Sequence, residues 1–351
     1  MGFVAFLVYA VVAAIVVFLS IKLSEFVDLL DKKTNVSGAF LGAILLAAVT
    51  SLPELFTSLT STLFVKVNSY VIGNILGSNL FNMALFFIIF TIFFKKVLDA
   101  KVNKSHVVTL SISGLMYLFV ALASFLFDKN GWIMAWINPM SILILGLYVF
   151  SIIKTPKEEN KEEEEKEEID SRLTVKQIIV LFAVCSALLI GASIGLTYCV
   201  DWIITLYPVI GQTFGGALFL GVATSLPELT ATITLCRKGN YNAAIGDIVG
   251  SSVFNFFILS VADFLSFLVK DGTGKWVGLY KIDASSLMLI ICGIVSNVVL
   301  LTVLFCMRKQ KLKNNKFGKT VVFITGLISL ASYIVFTILS NTLSIIYEAQ
   351  L

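Results

Sequence analysis

Charged residues are scarce in this sequence. Only 14% of its 351 residues are Asp, Glu, Lys or Arg, whereas 58% are hydrophobic, and the mean hydropathy is +0.95. This composition excludes an ordinary soluble domain. The long apolar runs lack the alternation of strands and contain scattered Gly, Ser and Thr, so they predict helices of about 20 residues that span a membrane. The sequence therefore predicts an all-α integral membrane protein in contact with lipids.

Histidine and paired cysteines are also nearly absent. The single histidine excludes metal chemistry that needs several imidazoles. The five cysteines lie in or beside apolar segments without a CxxC spacing, which favours small buried side chains over disulfides or metal ligands. The HExxH and GxGD motifs of intramembrane proteases are missing too. We therefore expect no enzyme, no cofactor, no nucleic-acid partner and no obligatory protein partner.

Ten apolar segments are predicted, five on each side of a charged linker. They are residues 3–22, 36–64, 68–94, 106–127, 132–153, 175–206, 209–236, 241–269, 284–307 and 319–347. The linker, residues 154–174, is rich in Glu and Lys, which predicts a solvated tether. The sequence thus divides into a first repeat at 1–153, this linker, and a second repeat at 175–351.

The basic residues of the loops predict the orientation. Most Lys and Arg residues lie in loops that face the cytoplasm if the N-terminus is outside. We therefore predict a multi-pass protein of the cell membrane, with both termini outside and the acidic linker in the cytoplasm. With five spans per half, the second half enters the membrane from the opposite side, so the two repeats are inverted. Secondary transporters of this kind place their substrate near the midplane, between broken helices.

The hexapeptide TSLPEL occurs twice, at residues 50–55 and 224–229. Each copy places a proline, Pro53 or Pro227, within an apolar run. The proline ring removes a backbone donor and clashes with the carbonyl four residues earlier, so we predict a helix break at both prolines. In a membrane such a break is tolerated where the freed backbone is buried in protein or lines a cavity.

Each hexapeptide also places a glutamate, Glu54 or Glu228, within the apolar run. An ionisable residue at that depth costs about 2.5 to 3.5 kcal/mol on the translocon scale, so it marks a candidate functional site. The Ser-x-x-Glu spacing also fits a helix capping box, which is the alternative role for Ser51 and Ser225. For the glutamates we favour ion ligation, because a helix restart needs no carboxylate. Two broken helices with buried glutamates predict one shared cation site.

A second pair of motifs follows the hexapeptides at matching distances: GNILGSNLFN at 73–82 and GDIVGSSVFN at 246–255. Their GxxxG spacings indicate close helix packing. Asn74 and Asp247 hold the same position of the repeat, and both offer oxygen ligands. Together with the glutamates they predict an oxygen-only site, which suits Ca²⁺ and can be shared by Na⁺. Glu54, Glu228 and Asp247 are therefore the candidate metal ligands.

These doubled motifs resemble those of the cation/calcium exchanger superfamily, in the prokaryotic-type sodium/calcium exchanger family with two alpha-repeats. The resemblance covers nearly the whole chain. It implies about ten helices in two inverted five-helix repeats with broken helices at the midplane, and exchange of Ca²⁺ for Na⁺ by alternating access. It implies that Glu54 and Glu228 bind Ca²⁺ directly, and that Asn74 and Asp247 match the central polar pair of the family. It implies that Thr50 and Thr224 contribute carbonyl ligands to Ca²⁺. It implies further that these two residues help to bind Na⁺ together with Ala47, Ser51, Gly221 and Ser225.

The coupling ion is open at this stage. Sodium-coupled members of the family that this chain resembles tend to carry a small hydroxyl residue about one turn before the positions of Asn74 and Asp247. This chain has Tyr70 and Ala243 there. The resemblance also suggests a contrast with the calcium/proton branch. Its members share a Gly-Asn-Ala-x-Glu pattern at the first motif, where this chain has Thr-Ser-Leu-Pro-Glu. We expect Ca²⁺/Na⁺ antiport, with Ca²⁺/H⁺ antiport as the alternative and a cation channel or an intramembrane enzyme as weaker ones.

Overall fold

A computed structural model describes residues 2–34, 47–93, 96, 102–130, 138–154, 173–269, 278–280, 283–308 and 316–348. Most of the charged linker predicted at 154–174 lies outside the described residues. All regular structure within the described ranges is helical. Each of the ten predicted apolar segments contains helix in its described part.

The helices of the first half are α1 (Gly2–Thr34), α2 (Leu52–Thr60), α3 (Asn68–Ile92), α4 (Lys104–Asn130) and α5 (Pro139–Lys154). Those of the second half are α6 (Val175–Leu206), the short α7 (Gln212–Gly215), α8 (Val222–Arg237), α9 (Tyr241–Ser266), α10 (Ala284–Arg308) and α11 (Lys316–Glu348). In the described residues, 8 helical stretches are long and apolar enough to cross a membrane, and the apolar α5 is shorter. The expected all-α membrane fold is confirmed.

Polar side chains define several helix starts. Thr174 and Gln177 form a capping box at the start of α6, which satisfies backbone donors that the first turn leaves free. The side chain of Asn240 accepts the backbone N–H of Ala243 and caps α9. These two caps mark where α6 and α9 begin.

The two halves pack as inverted repeats. α1 lies along α6, and each of these two helices also contacts the glutamate-bearing helix of the opposite half, α8 or α2. α3 crosses its counterpart α9, and α4 contacts its counterpart α10. α5 contacts α9, just as α11 contacts α3. Every one of these contacts has a counterpart in which the halves are exchanged.

Two large apolar clusters, and a small third one around Ile89, Cys236 and Ala244, hold the described helices together. The larger one joins α3, α4, α9 and α10 around fully buried aromatic side chains, including Phe87, Tyr117 and Phe256. The smaller one joins α1 and α6 through Val16, Leu196 and their neighbours. The opposite faces of α1 and α6 expose large apolar side chains, as expected for helices that contact lipid.

The helix interruptions agree with the sequence in one half and differ in the other. Residues 47–50 are helical, a turn follows at Ser51, and Pro53 lies in the first turn of α2. Pro227, by contrast, lies inside α8, so the break predicted there requires correction. The second half is interrupted earlier, by a π-helical segment at Gly216–Gly221 that is bounded by glycines. A π-helical segment widens the helix and shifts its hydrogen bonds, and such segments are frequent at functional sites. A second π-helical segment, Ser61–Val65, follows α2.

Candidate cation site

The two hexapeptides meet inside the protein. Glu54 and Glu228 are both fully buried. The Ser51 hydroxyl donates a hydrogen bond to Oε1 of Glu228 at 3.0 Å, and the Ser225 hydroxyl donates to Oε1 of Glu54 at 3.4 Å. Each serine therefore serves the glutamate of the other half. The capping-box alternative does not describe Ser51, because its side chain makes no cap hydrogen bond to α2.

Each glutamate keeps one oxygen without a partner. Oε2 of Glu54 and Oε2 of Glu228 are buried and accept no hydrogen bond. Among the described residues an ion pair joins Lys22 and Glu25, and no basic side chain pairs with either buried glutamate. Unpartnered polar atoms are rare in protein interiors, and buried carboxylates without a counter-charge are costly. The arrangement is therefore suited to a cation.

Backbone oxygens lie beside the glutamates in sequence. Pro53 and Pro227 have no N–H, so the carbonyls of Val49 and Ala223 lose their usual helical donors. The Thr50 hydroxyl donates to the carbonyl of Ala47 at 3.1 Å, so that side chain is turned toward its own helix. The carbonyls of Val49 and Ala223 are thus main-chain oxygens that lack their usual helical donors beside the two glutamates.

The equivalent residues of the second half connect to α3. The Thr224 hydroxyl donates to the carbonyl of Leu220 at 2.9 Å and reaches Oδ1 of Asn74 at 3.3 Å. The carbonyl of Gly221 accepts the hydroxyl of Ser78 at 3.2 Å. The structure therefore brings Thr224 and Gly221 into contact with the GNILGSNLFN motif on α3.

The Asn74 amide is fully engaged. Its nitrogen donates toward the carbonyl of Glu54 at 3.3 Å, the hydroxyl of Thr57 at 2.9 Å and the hydroxyl of Ser58 at 3.0 Å. Its oxygen accepts from Thr224. Asn74 therefore ties α3 to the helices that carry both hexapeptides.

Asp247 differs from its repeat partner. It is 2% exposed, its Oδ2 accepts the Thr232 hydroxyl at 3.2 Å, and its Oδ1 has no partner. Thr232, which donates this hydrogen bond, lies one turn after Glu228 on α8, so Asp247 contacts the helix that carries Glu228. No three Asp, Glu, His or Cys side chains in the described ranges converge as ligands of one metal ion. An ion between the glutamates would therefore complete its shell with hydroxyl, amide or carbonyl oxygens.

Further polar side chains of α3 and α9 escaped the sequence reasoning. Ser78 and Asn82 follow Asn74 at four-residue intervals on α3, and Ser251 and Asn255 follow Asp247 in the same way on α9. All are buried, and unpartnered polar atoms include both amide atoms of Asn82, the Ser251 hydroxyl and Oδ1 of Asn255. The two stripes are joined where Asn255 donates to Asn79 at 2.8 Å. Their regular spacing was a signal available in the sequence.

Small hydroxyl residues, which are missing at positions 70 and 243, occur further along the same two helices. Tyr70 is buried, but its hydroxyl donates to Oδ1 of Asp201 on α6 at 2.9 Å. Ser78 and Ser251, one turn after the Asn/Asp position, are small buried hydroxyl residues instead. The departure noted in the sequence therefore leaves this region with hydroxyl groups.

Glycines hold α3 close to α7 and to the π-helical segment Gly216–Gly221. A Cβ on Gly73 would lie 2.3 Å from the carbonyl oxygen of Thr213, and one on Gly77 would lie 2.7 Å from Cα of Ala217. A Cβ on Gly250, which matches Gly77, would lie 3.4 Å from the Ala47 side chain. The expected close packing is therefore tighter in the first half.

Comparison with known proteins identifies the family. The family model for the sodium/calcium exchanger protein matches residues 4–154 and 177–341, which are most of the chain. The chain belongs to the sodium/calcium exchanger family. It is therefore a cation/Ca²⁺ exchanger and an integral multi-pass membrane protein, and its family is one of transporters rather than enzymes.

Relatives of the exchanger include both coupling types. The sodium/calcium exchanger MaX1 of Methanosarcina acetivorans is 25% identical over 268 residues, covering 65% of this chain and 73% of that protein. The solved structure of the H⁺/Ca²⁺ exchanger CAX has a TM-score of 0.67 at 15% identity, covering 99% of this chain and 90% of CAX. The sodium-calcium exchanger NCX_Mj, soaked with Na⁺ and Sr²⁺, has a TM-score of 0.54 at 17% identity, covering 95% of this chain and 98% of NCX_Mj. These structures share the fold with this exchanger.

Proposed function

We propose that this exchanger is a secondary-active antiporter that moves Ca²⁺ against Na⁺ across the cell membrane by alternating access. The observation that carries the proposal is the reciprocal pairing of Ser51 with Glu228 and of Ser225 with Glu54. It unites the two halves around two buried carboxylates, each with one unpartnered oxygen. Two negative charges match one divalent cation or two monovalent ones.

We assign the direct Ca²⁺ contacts to Glu54 and Glu228. The carbonyls of Thr50 and Thr224 complete the shell of Ca²⁺. Further oxygens that serve Na⁺ come from Ala47, Ser51, Gly221 and Ser225. Asn74 and Asp247 flank this position on α3 and α9, where the Asn74 amide positions both hexapeptides.

Coupling follows from charge. With no cation bound, the glutamates would be two uncompensated buried charges, a state of high free energy. The exchanger therefore changes its access readily only when Ca²⁺ or replacement cations compensate them. One ion must replace the other in each half-cycle, which is exchange.

The direction of the chain in the membrane belongs to the same proposal. We assign the two repeats to residues 1–153 and 175–351, with residues 154–174 in the cytoplasm and both termini outside. The concentration of Lys and Arg in the loops on one side supports this orientation.

A Ca²⁺/H⁺ antiporter is the second candidate. The extensive fold similarity to the H⁺/Ca²⁺ exchanger CAX favours it. Protons compensate carboxylates as well as Na⁺ does. The same two glutamates would then alternate between Ca²⁺ and two protons.

Calcium uptake into liposomes with the purified protein tests these candidates. Uptake is compared under an outward Na⁺ gradient, an outward H⁺ gradient and no gradient. We expect uptake with Na⁺ alone, and its loss in both Glu54→Gln and Glu228→Gln. Glu25→Gln, at the exposed partner of Lys22, is the matched control and should leave uptake unchanged.

The other outcomes are equally informative. Uptake driven by H⁺ alone would replace Na⁺ with H⁺ as the coupling ion. Uptake without either gradient would indicate a channel. Coupled exchange that survives Glu54→Gln or Glu228→Gln would contradict the charge-compensation mechanism.

A further inference from the structure

Basic side chains gather at one end of the helix bundle, where α9 begins. Arg237 ends α8 and Lys238 follows it, Lys96 follows the end of α3, and Lys104 begins α4. We call these four residues the basic cluster. All four are exposed, and none of them takes part in an ion pair with the described residues. The cluster therefore presents positive charge that the described part of the chain does not compensate.

Contacts hold the helix ends of the basic cluster together. The N–H of Asn103, just before α4, donates to Oδ1 of Asn242 on α9 at 3.3 Å. The ring of Phe93, after α3, lies 6.5 Å from the ring of Tyr241 in the first turn of α9. The turn from α8 to α9 is tight, and Gly239 adopts a φ of 83° within it. Basic residues from separate helices thus surround the start of α9.

A narrow apolar crevice lies between the same helix ends. Its lining includes Phe86 and Phe90 of α3, Cys236 of α8, and Tyr241 and Ile245 of α9. Cys236 immediately precedes the two basic residues at the end of α8, so apolar surface and positive charge adjoin at the crevice. Tyrosine is enriched at membrane–water interfaces, and Tyr241 is placed accordingly at the end of a spanning helix.

The flank of α3 beside the crevice is exposed and apolar. Ile88 is 41% exposed and Ile92 is 71% exposed, in a helix long enough to span a membrane. Ile89, between them in sequence, lines the crevice. Lipid chains that cover Ile88 and Ile92 therefore run toward Lys96, whose backbone N–H donates to the carbonyl of Phe93 at 3.0 Å.

This arrangement goes beyond the charge rule that predicts the orientation of the chain. That rule needs only an excess of Lys and Arg in the loops of one side. Here the basic residues are brought together by contacts, beside apolar surface of the kind that an acyl chain covers. Basic pockets between membrane helices on the cytoplasmic side are suited to the phosphate of an anionic headgroup. Opposite charge thus selects an anionic lipid rather than a neutral one.

We propose that this end of the protein binds one anionic phospholipid. The phosphate of the lipid lies within the basic cluster, and one acyl chain lies along Ile88 and Ile92 at the mouth of the crevice. The bound lipid joins the end of α8 to the start of α9, which are the helices that carry Glu228 and Asp247. The inference does not depend on the coupling ion, so its test needs no transport.

Binding is measured on the purified full-length protein in micelles of a neutral detergent. The unfolding temperature is recorded at increasing concentrations of phosphatidylglycerol, because a ligand of the folded state raises it. Phosphatidylcholine is the neutral lipid for comparison. Glycerol 3-phosphate supplies the same phosphate chemistry without acyl chains, so it distinguishes a lipid site from a site for a free phosphate group.

The double variant Arg237→Gln with Lys238→Gln removes two charges of the basic cluster at exposed positions. The matched control is Lys66→Asn with Lys176→Gln, which removes two exposed charges elsewhere and keeps the net charge of the variants equal. Asn suits position 66, where φ is 62°. Lys176 starts α6 on the same predicted side of the membrane as the basic cluster. The control therefore reports general attraction between a basic surface and an anionic micelle.

We expect phosphatidylglycerol to raise the unfolding temperature of the wild type, and phosphatidylcholine and glycerol 3-phosphate to leave it unchanged. Each basic residue near an anionic headgroup contributes about fivefold in affinity. The half-maximal phosphatidylglycerol concentration should therefore rise by about 25-fold in the double variant and by about fivefold in Lys96→Gln. The control should stay within about twofold of the wild type. Lys96→Gln keeps the test decisive if the double variant does not fold.

Contrary results would overturn the proposal in different ways. Equal shifts in the control and in the double variant would show general electrostatic attraction without a site. Equal stabilisation by phosphatidylcholine would remove the role of the basic cluster. Equal stabilisation by glycerol 3-phosphate would leave a phosphate site in which the acyl chain has no part.

Discussion

Replacing Ser51 with alanine should weaken Ca²⁺ binding even though Ser51 belongs to the opposite half from its partner, Glu228. The hydroxyl donates to the buried carboxylate at 3.0 Å, which stabilises its ionised, cation-binding form. A hydrogen bond to a charged group contributes about 1.5 to 3 kcal/mol. Since 1.4 kcal/mol is tenfold in binding, we expect the half-maximal Ca²⁺ concentration to rise by about 10- to 100-fold. Ser225→Ala should cost less, because its bond to Glu54 is 3.4 Å long.

The assay is Ca²⁺/Ca²⁺ exchange in liposomes as a function of Ca²⁺ concentration, with thermal unfolding in detergent measured in parallel. Thr60→Val is the matched control, because the Thr60 hydroxyl is also buried but donates to the carbonyl of Phe56 in its own helix at 2.7 Å. It should change the half-maximal Ca²⁺ concentration by less than about twofold.

Two outcomes for Ser51→Ala would refute a role of this hydrogen bond in Ca²⁺ binding. If Ser51 were a helix cap, its loss would lower the unfolding temperature at a cost of about 1 kcal/mol and leave Ca²⁺ affinity intact. A shift of Ca²⁺ affinity no larger than that of Thr60→Val would likewise show that the bond across the halves does not support binding.

Two further substitutions test the packing around the site. Gly77→Ala should lower the unfolding temperature in detergent by an overpacking cost of about 1 to 3 kcal/mol, because its Cβ would lie 2.7 Å from Cα of Ala217. Gly250→Ala, the matched change with a nearest contact of 3.4 Å, should be tolerated, and equal losses would contradict the asymmetry. Tyr70→Phe should lower the unfolding temperature by removing the bond to Asp201 while leaving the half-maximal Ca²⁺ and Na⁺ concentrations unchanged, since the hydroxyl is engaged on α6. A changed ion affinity would make the Tyr70 hydroxyl part of the site.

Much of the fold could be predicted from the sequence because its signals are strong and repeated. Apolar runs long enough to span a membrane predict ten segments. The doubled hexapeptide, with five segments in each half, predicts an inverted repeat. The break assigned to Pro227 was wrong because the rule for proline is local. The helix continues through Pro227, and the change of helical pitch falls where Gly216 and Gly221 allow the backbone to pack closely on α3.

The candidate site could be predicted only in part. Glu54 and Glu228 were identifiable because a carboxylate in an apolar run is conspicuous. The hydrogen bonds from each serine to the glutamate of the opposite half could not be predicted, because they depend on how α2 and α8 meet in space. Asn82 and Asn255 were overlooked although they continue the four-residue spacing of Asn74 and Asp247. Both are buried and have side-chain atoms without a hydrogen-bond partner, which can be seen only in the structure.

The difference between the halves bears on how an inverted repeat acquires a direction. Two identical halves would present the same oxygens to an ion from either side of the membrane. This chain departs from identity at Thr57 and Ala231, and at Asn74 and Asp247. The Asn74 amide is hydrogen-bonded to Thr57, whereas Oδ1 of Asp247 has no partner. The two halves therefore place different groups at matched positions, an amide on α3 and a carboxyl group on α9.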